Sequence, residues 1–85
     1  MPTIAREMEL LARVQGLIDG NLNGLTAGFG DIGGVVIERR SHVRGIWRCM
    51  GGAFAWTPAG YNEPVYQAPD LEAAVTFTRD LLSKL

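Results

Sequence analysis

The stretch WRCMGGAFAW, residues 47–56, decides how the chain folds. It holds both tryptophans and the single cysteine on either side of Gly51-Gly52. A glycine pair tolerates the positive φ angles of a two-residue hairpin turn. With the turn placed there, the register follows by counting. Met50 faces Ala53, Cys49 faces Phe54, Arg48 faces Ala55 and Trp47 faces Trp56. Successive strand side chains point to opposite faces. Trp47, Cys49, Phe54 and Trp56 therefore share one face, while Ile46, Arg48, Met50, Ala53, Ala55 and Thr57 share the other. The first face is large and apolar, as a helix-covered face should be, and Cys49 on it reads as a small buried hydrophobe.

Upstream, GVVIERR (34–40) alternates in the same way. Val35 and Ile37 lie on one side, Val36, Glu38 and Arg40 on the other. Setting Ile37 opposite Trp47 and Val35 opposite Cys49 continues the aromatic face. That register predicts an odd-length loop near Ser41-His42-Val43. Downstream, Pro58 cannot donate to a ladder and ends the strand. PAGYNEP (58–64) is rich in turn formers, and PVYQ (64–67) reads either as a short fourth strand or as an extended run into the last helix.

Helices flank this β-rich middle. Residues 4–18 place Ile4, Met8, Leu11, Val14 and Ile18 at helical spacing, with Arg6, Glu9 and Arg13 opposite. Leu10 and Leu17 widen the apolar arc beyond what packing on one sheet needs. Gly20 is the natural stop. Residues 71–84 form a second helix, entered through Pro69 and capped by Asp70. Leu71, Ala74, Val75, Thr78, Leu81 and Leu82 share its apolar side. The expected architecture is α+β: a helix, a three- to four-stranded antiparallel meander over about 35–40, 45–50 and 53–57, with 64–67 as the optional fourth strand, and a helix, with both helices on one face. Residues 1–85 form one small domain. The order helix, three strands, helix resembles that of the double-stranded-RNA-binding domain. The segment opening the last helix, APDLEAA (68–74), is acidic, so the resemblance ends at element order and implies no RNA activity.

The connection 20–34, GNLNGLTAGFGDIGG, holds six glycines and reads as a flexible connection, with room for a short extra strand or helical turn around Leu25–Phe29. Gly28-Phe29-Gly30-Asp31-Ile32-Gly33 matches GxGxxG literally. A dinucleotide loop follows a strand and opens a helix, whereas a strand follows here. A phosphate loop of the kinase type needs a lysine on the next strand, which reads VVIERR. Both nucleotide readings fail, leaving a flexible connection that could open a small-molecule pocket between sheet and helices.

Charge is uneven. Four arginines and no acid lie between Arg39 and Asn62, giving +4; the other four bases and all nine acids leave −5 elsewhere. Arg39, Arg40, His42, Arg44 and Arg48 thus form a candidate binding patch for nucleic acid or an anionic ligand. The acidic pI of 5.7 disfavours nonspecific nucleic-acid binding.

Catalysis finds no footing. His42 beside Ser41 is adjacency in a turn, Cys49 sits on the core face, and Tyr61, Asn62 and Glu63 read as a turn. One cysteine and one histidine build no metal site. No cofactor, metal or catalytic residue is expected. The N-terminal segment lacks the apolar run of a signal peptide and nothing reaches bilayer-spanning length, so a cytoplasmic location without membrane contact is expected. With 47% hydrophobic residues in 85, the surplus has to be hidden. The expected function is a non-catalytic binding or assembly module, homodimeric through Val36, Ile46, Met50, Ala53 and Ala55 on the outer sheet face or through the helix flank at Leu10 and Leu17, with a protein or small-molecule ligand as further partner.

Overall fold

The computed structural model describes residues 3–18, 24–31 and 33–84. Helix α1 (Thr3–Ile18) leads into five strands: β1 (Leu25–Phe29), β2 (Val35–Arg39), β3 (His42–Met50), β4 (Ala53–Pro58) and β5 (Tyr66–Ala68). Helix α2 (Leu71–Ser83) closes the chain. The strands form one antiparallel sheet in the order β1-β2-β3-β4-β5. The sheet is thus larger than the expected three to four strands. The added strand, β1, comes from the glycine-rich connection, and the candidate strand at 64–67 becomes β5. With five strands, the likeness in element order to the double-stranded-RNA-binding domain also ends. The expected helix stop at Gly20 lies outside the described residues.

The β3–β4 hairpin follows the counted register, with Trp47 opposite Trp56 and Cys49 opposite Phe54. Gly51 and Gly52 take φ of 59° and 86°, as the tight turn requires. Both indoles point inward and are essentially fully buried. They meet Tyr66 and Phe77 in an aromatic cluster, with the Trp47–Trp56 centroids 5.4 Å apart and Tyr66 stacked on Phe77 at 4.3 Å. Such pairs add about 1 kcal/mol each beyond area burial. Gly45 is required here, because a Cβ at that position would overlap the Trp56 ring.

The β2–β3 register differs from the expected one by two residues. Val35 faces Trp47, and Ile37 faces Gly45. The turn is the two-residue Arg40-Ser41, closed by the Arg39–His42 pair, and the register shifts between Ile37 and Glu38 so that Arg44 is bulged. A bulge adds one residue and flips parity. Val35 and Ile37 therefore keep the inner face without an odd-length loop.

The core lies between the inner sheet face and the two helices. Leu10 and Val14 of α1, Ala74, Val75 and Leu82 of α2, and Leu25, Val35, Ile37, Trp47, Phe54, Trp56 and Ala68 of the sheet form one buried cluster. Helix α2 buries the expected side, and Asp70 caps it by accepting from the Ala73 amide at 2.8 Å. Its buried Thr78 hydroxyl accepts from Trp47 Nε1 at 2.9 Å and donates to the Ala74 carbonyl at 2.8 Å. Helix α1 is rolled away from the expected stripe. Glu7, Leu10 and Val14 are its buried residues, whereas Ile4 and Met8 are 64% and 55% exposed.

Candidate functional site

The roll of α1 exposes a site at the closed end of the β1–β2 hairpin. That hairpin contains the literal GxGxxG stretch. The Gly30 amide donates to the Gly34 carbonyl at 3.1 Å, and the Gly33 amide to the Gly30 carbonyl at 3.1 Å. Gly33 and Gly34 take φ of 94° and 83°, which glycine adopts without strain. The glycines serve a short hairpin connection, a backbone task that needs no phosphate.

Turning at Gly33 and Gly34 carries β2 away from β3 early. Continuing the Val35–Trp47 register would place residue 33 opposite Cys49, where the Cys49 amide would find a backbone carbonyl. Instead the Cys49 amide donates to Glu7 Oε2 at 3.0 Å, and the Gly34 amide donates to Glu7 Oε1 at 3.0 Å. One carboxylate from the helix thus replaces a missing rung of the ladder. This explains the roll: buried amides require acceptors, and an apolar side chain at position 7 would leave two without one.

Around Glu7 lies a cleft of about 240 Å³ lined by Ile4, Phe29, Gly30 and Gly33. Glu7 itself is 3% exposed. Ile4 and Phe29 stand partly in solvent as its apolar walls. The apolar stripe read from the sequence leaves Glu7 out. The available signal was its spacing: Glu7, Leu10, Val14 and Leu17 fall on one helical stripe, and an acid within such a stripe is a buried-polar candidate.

The face without helices carries the residues expected on it. Val36 pairs with Ile46, which pairs with Thr57; Arg48 pairs with Ala55, which pairs with Gln67; and Met50 pairs with Ala53. Val36, Ile46, Arg48 and Ala53 are half-buried, Met50 is exposed and Ala55 is buried. Ala55 helps line a shallow groove of about 320 Å³ with Met50, Pro64, Val65, Tyr66 and Gln67. Leu10 lies in the core and Leu17 packs at its margin, so the exposed apolar surface of α1 is Ile4 and Met8 instead.

The arginines divide. Arg39, Arg40, His42 and Arg44 gather at the β2–β3 hairpin tip, while Arg48 lies on the helix-free face. Arg40 and Ser41 occupy the turn at φ of 52° and 70°, unusual for residues with a Cβ. Tyr61, Asn62 and Glu63 are exposed in the β4–β5 connection. An ion pair joins the helices, with Arg13 donating to Glu72 at 2.7 and 3.1 Å. The hydrogen bonds from Arg13, and then its charge, hold the Glu72 carboxyl below the ordinary carboxylate range and the Arg13 guanidinium above its own.

Comparison with protein-family models, with curated proteins and with solved structures finds no match.

Proposed function

We propose that the chain is a non-catalytic assembly module that pairs with a second copy of itself through the helix-free sheet face. The observation that carries this reading is the placement of charge about an apolar centre. Val36 and Ile46 are cross-strand partners. Glu38 lies two residues beyond Val36 on β2, and Arg48 lies two residues beyond Ile46 on β3, in the opposite direction. Both are half-buried, and neither has an ion-pair partner among the described residues. A two-fold axis lying in the face, crossing the strands at a slant between Val36 and Ile46, brings each Glu38 to the partner's Arg48. The face is then complementary to itself, as a closed dimer requires, with an apolar centre and a charged margin.

Sedimentation or light scattering tests the reading. The expected mass at tens of micromolar is twice the 9.2 kDa of one chain. Glu38→Arg sets like charges together and shifts the population to monomer. The double variant Glu38→Arg, Arg48→Glu restores the dimer. A wild-type protein that stays monomeric across the concentration range overturns the reading, as does a double variant no better than the single one.

A second reading has its own observation. The tip residues Arg40 and Ser41 hold a strained conformation that the sister turn assigns to glycines. Such strain concentrates where side chains serve a ligand, here a phosphate-bearing one. Its sign is salt-sensitive binding of an oligonucleotide that Arg40→Gly abolishes without loss of stability. An oligonucleotide that fails to bind at low salt removes this reading and leaves the dimer untouched.

A further inference from the structure

We infer that the cleft at Glu7 is a binding site for an alkyl primary ammonium group. Three features carry the inference. The first is a charge without a counter-charge. A buried carboxylate is costly unless a cation or sufficient hydrogen bonds offset its lost hydration. Glu7 is 3% exposed and receives two neutral amide donors. No cationic side chain pairs with it among the described residues. Its neighbour Arg6 instead lies over the Phe54 ring, with the guanidinium carbon 5.4 Å from the centroid. Each carboxylate oxygen has a further lone pair to offer.

The second feature is access. A Cβ at Gly33 would stand 3.7 Å from Glu7 Oε1. Glycine at 33 leaves space beside that oxygen, which accepts from the Gly34 amide as Oε2 accepts from the Cys49 amide. Approach to a single oxygen suits a point donor. An ammonium is such a donor, whereas a guanidinium gains most from two parallel bonds. A metal ion is a poorer fit, because no group of three His, Cys, Asp or Glu side chains forms among the described residues.

The third feature is the wall. The cleft has the volume of about eight water molecules. Ile4 and Phe29 give it apolar sides that several methylene groups would cover. A sequence that exposes Ile4 and buries Glu7 has given up ordinary amphipathic packing here, and an amphiphilic cation makes use of both. The site lies on the helix side of the sheet, away from the proposed dimer face, so each can fail without the other.

The test is an amide-resonance titration of the full chain with n-pentylammonium, with n-pentanol and pentanoate as controls. Saturable shifts of the Gly34 and Cys49 amides are expected with the ammonium and with neither control. Nα-acetyl-lysine methylamide distinguishes the sources: saturation by it as well assigns a lysine side chain of a partner, and saturation by pentylammonium alone assigns a free amine. Ile4→Lys, at an exposed position one helical turn before Glu7, supplies a tethered ammonium and leaves the buried amides paired. It should weaken pentylammonium binding about tenfold or more, a loss of about 1.4 kcal/mol. Absence of saturation, an equal response to pentanol, or unchanged affinity in Ile4→Lys overturns the inference.

Discussion

Helices α1 and α2 each bury one polar side chain against the same sheet, and the two differ in what that side chain serves. Thr78 of α2 completes its own bonding: it returns a hydrogen bond to its helix and takes one from the Trp47 indole. Glu7 of α1 satisfies none of its own helix. It accepts from Gly34 and Cys49, two sheet amides that the turn at Gly33 and Gly34 separates from their ladder partners. Where the sheet beneath a helix is complete, the apolar stripe sets the helix's rotation. Where the ladder is broken, the unsatisfied backbone sets it, even at the cost of leaving Ile4 and Met8 in solvent.

Removing Glu7 is the strongest attack on this contrast. Glu7→Ala leaves a buried amide at Gly34 and a part-buried one at Cys49 without acceptors, at up to roughly 1–3 kcal/mol each. The expected loss is about 3 kcal/mol or more, a large fraction of what holds a domain this small together. Urea unfolding reads the stability, and hydrogen exchange at Gly34 and Cys49 should accelerate ahead of the rest of the sheet. Glu7→Gln keeps one acceptor oxygen and should lose less. Equal stability of Glu7→Ala and the parent would show that the carboxylate does not stand in for the ladder.

The same contrast explains which parts of the fold were legible in the sequence. The 47–56 hairpin could be read because two glycines fix a two-residue turn, and the turn fixes the facing of every residue beyond it. Helix α2 could be read because its stripe and the sheet beneath it agree. The roll of α1 could not, because the apolar residues at 4 and 8 complete a better helical stripe than Glu7 does. Strand β1 was legible only as one of two options at Leu25–Phe29, a short strand or a helical turn, because glycines at 24, 28 and 30 dilute the alternation of Leu25, Ala27 and Phe29. The β2–β3 register was obscured because Arg40-Ser41 carries no glycine to mark its positive φ angles and nothing in the residue types announces a bulge at Arg44. The candidate dimer face was legible as a face. The Glu7 cleft was not, since it depends on the roll.

Thr78→Val is the matched experiment on α2. It preserves shape while removing the acceptor for Trp47 Nε1, so the expected loss is about 1–2 kcal/mol. Because only one neutral donor is orphaned, the loss should be smaller than for Glu7→Ala. An equal or larger loss would erase the distinction between serving the helix's own side chains and serving the sheet backbone.

Ile4→Ser and Met8→Ser sharpen the comparison from the opposite side. The apolar stripe read from the sequence makes both core residues, whose truncation costs about 2 kcal/mol or more. Their exposure makes both surface residues, for which changes stay within about 0.5 kcal/mol. A thermal-melting comparison separates these outcomes, and a large loss in either variant would return α1 to the conventional stripe.

The smallest effect belongs to the contact that joins the two helices directly. Arg13 and Glu72 pair at the surface, where solvent weakens the attraction. Hydrogen bonding and charge from Arg13 lower the folded-state Glu72 carboxyl below its unfolded value. A depressed carboxyl stabilises the fold above its unfolded pKa, and that contribution is lost as the pH falls through the folded one. Glu72→Gln should therefore melt slightly below the parent at pH 7, and the difference should close in acid below the ordinary carboxylate range. Added salt should narrow the gap at pH 7 as well. If the gap persists in acid, Glu72 acts on the fold through packing and not through its ion pair with Arg13.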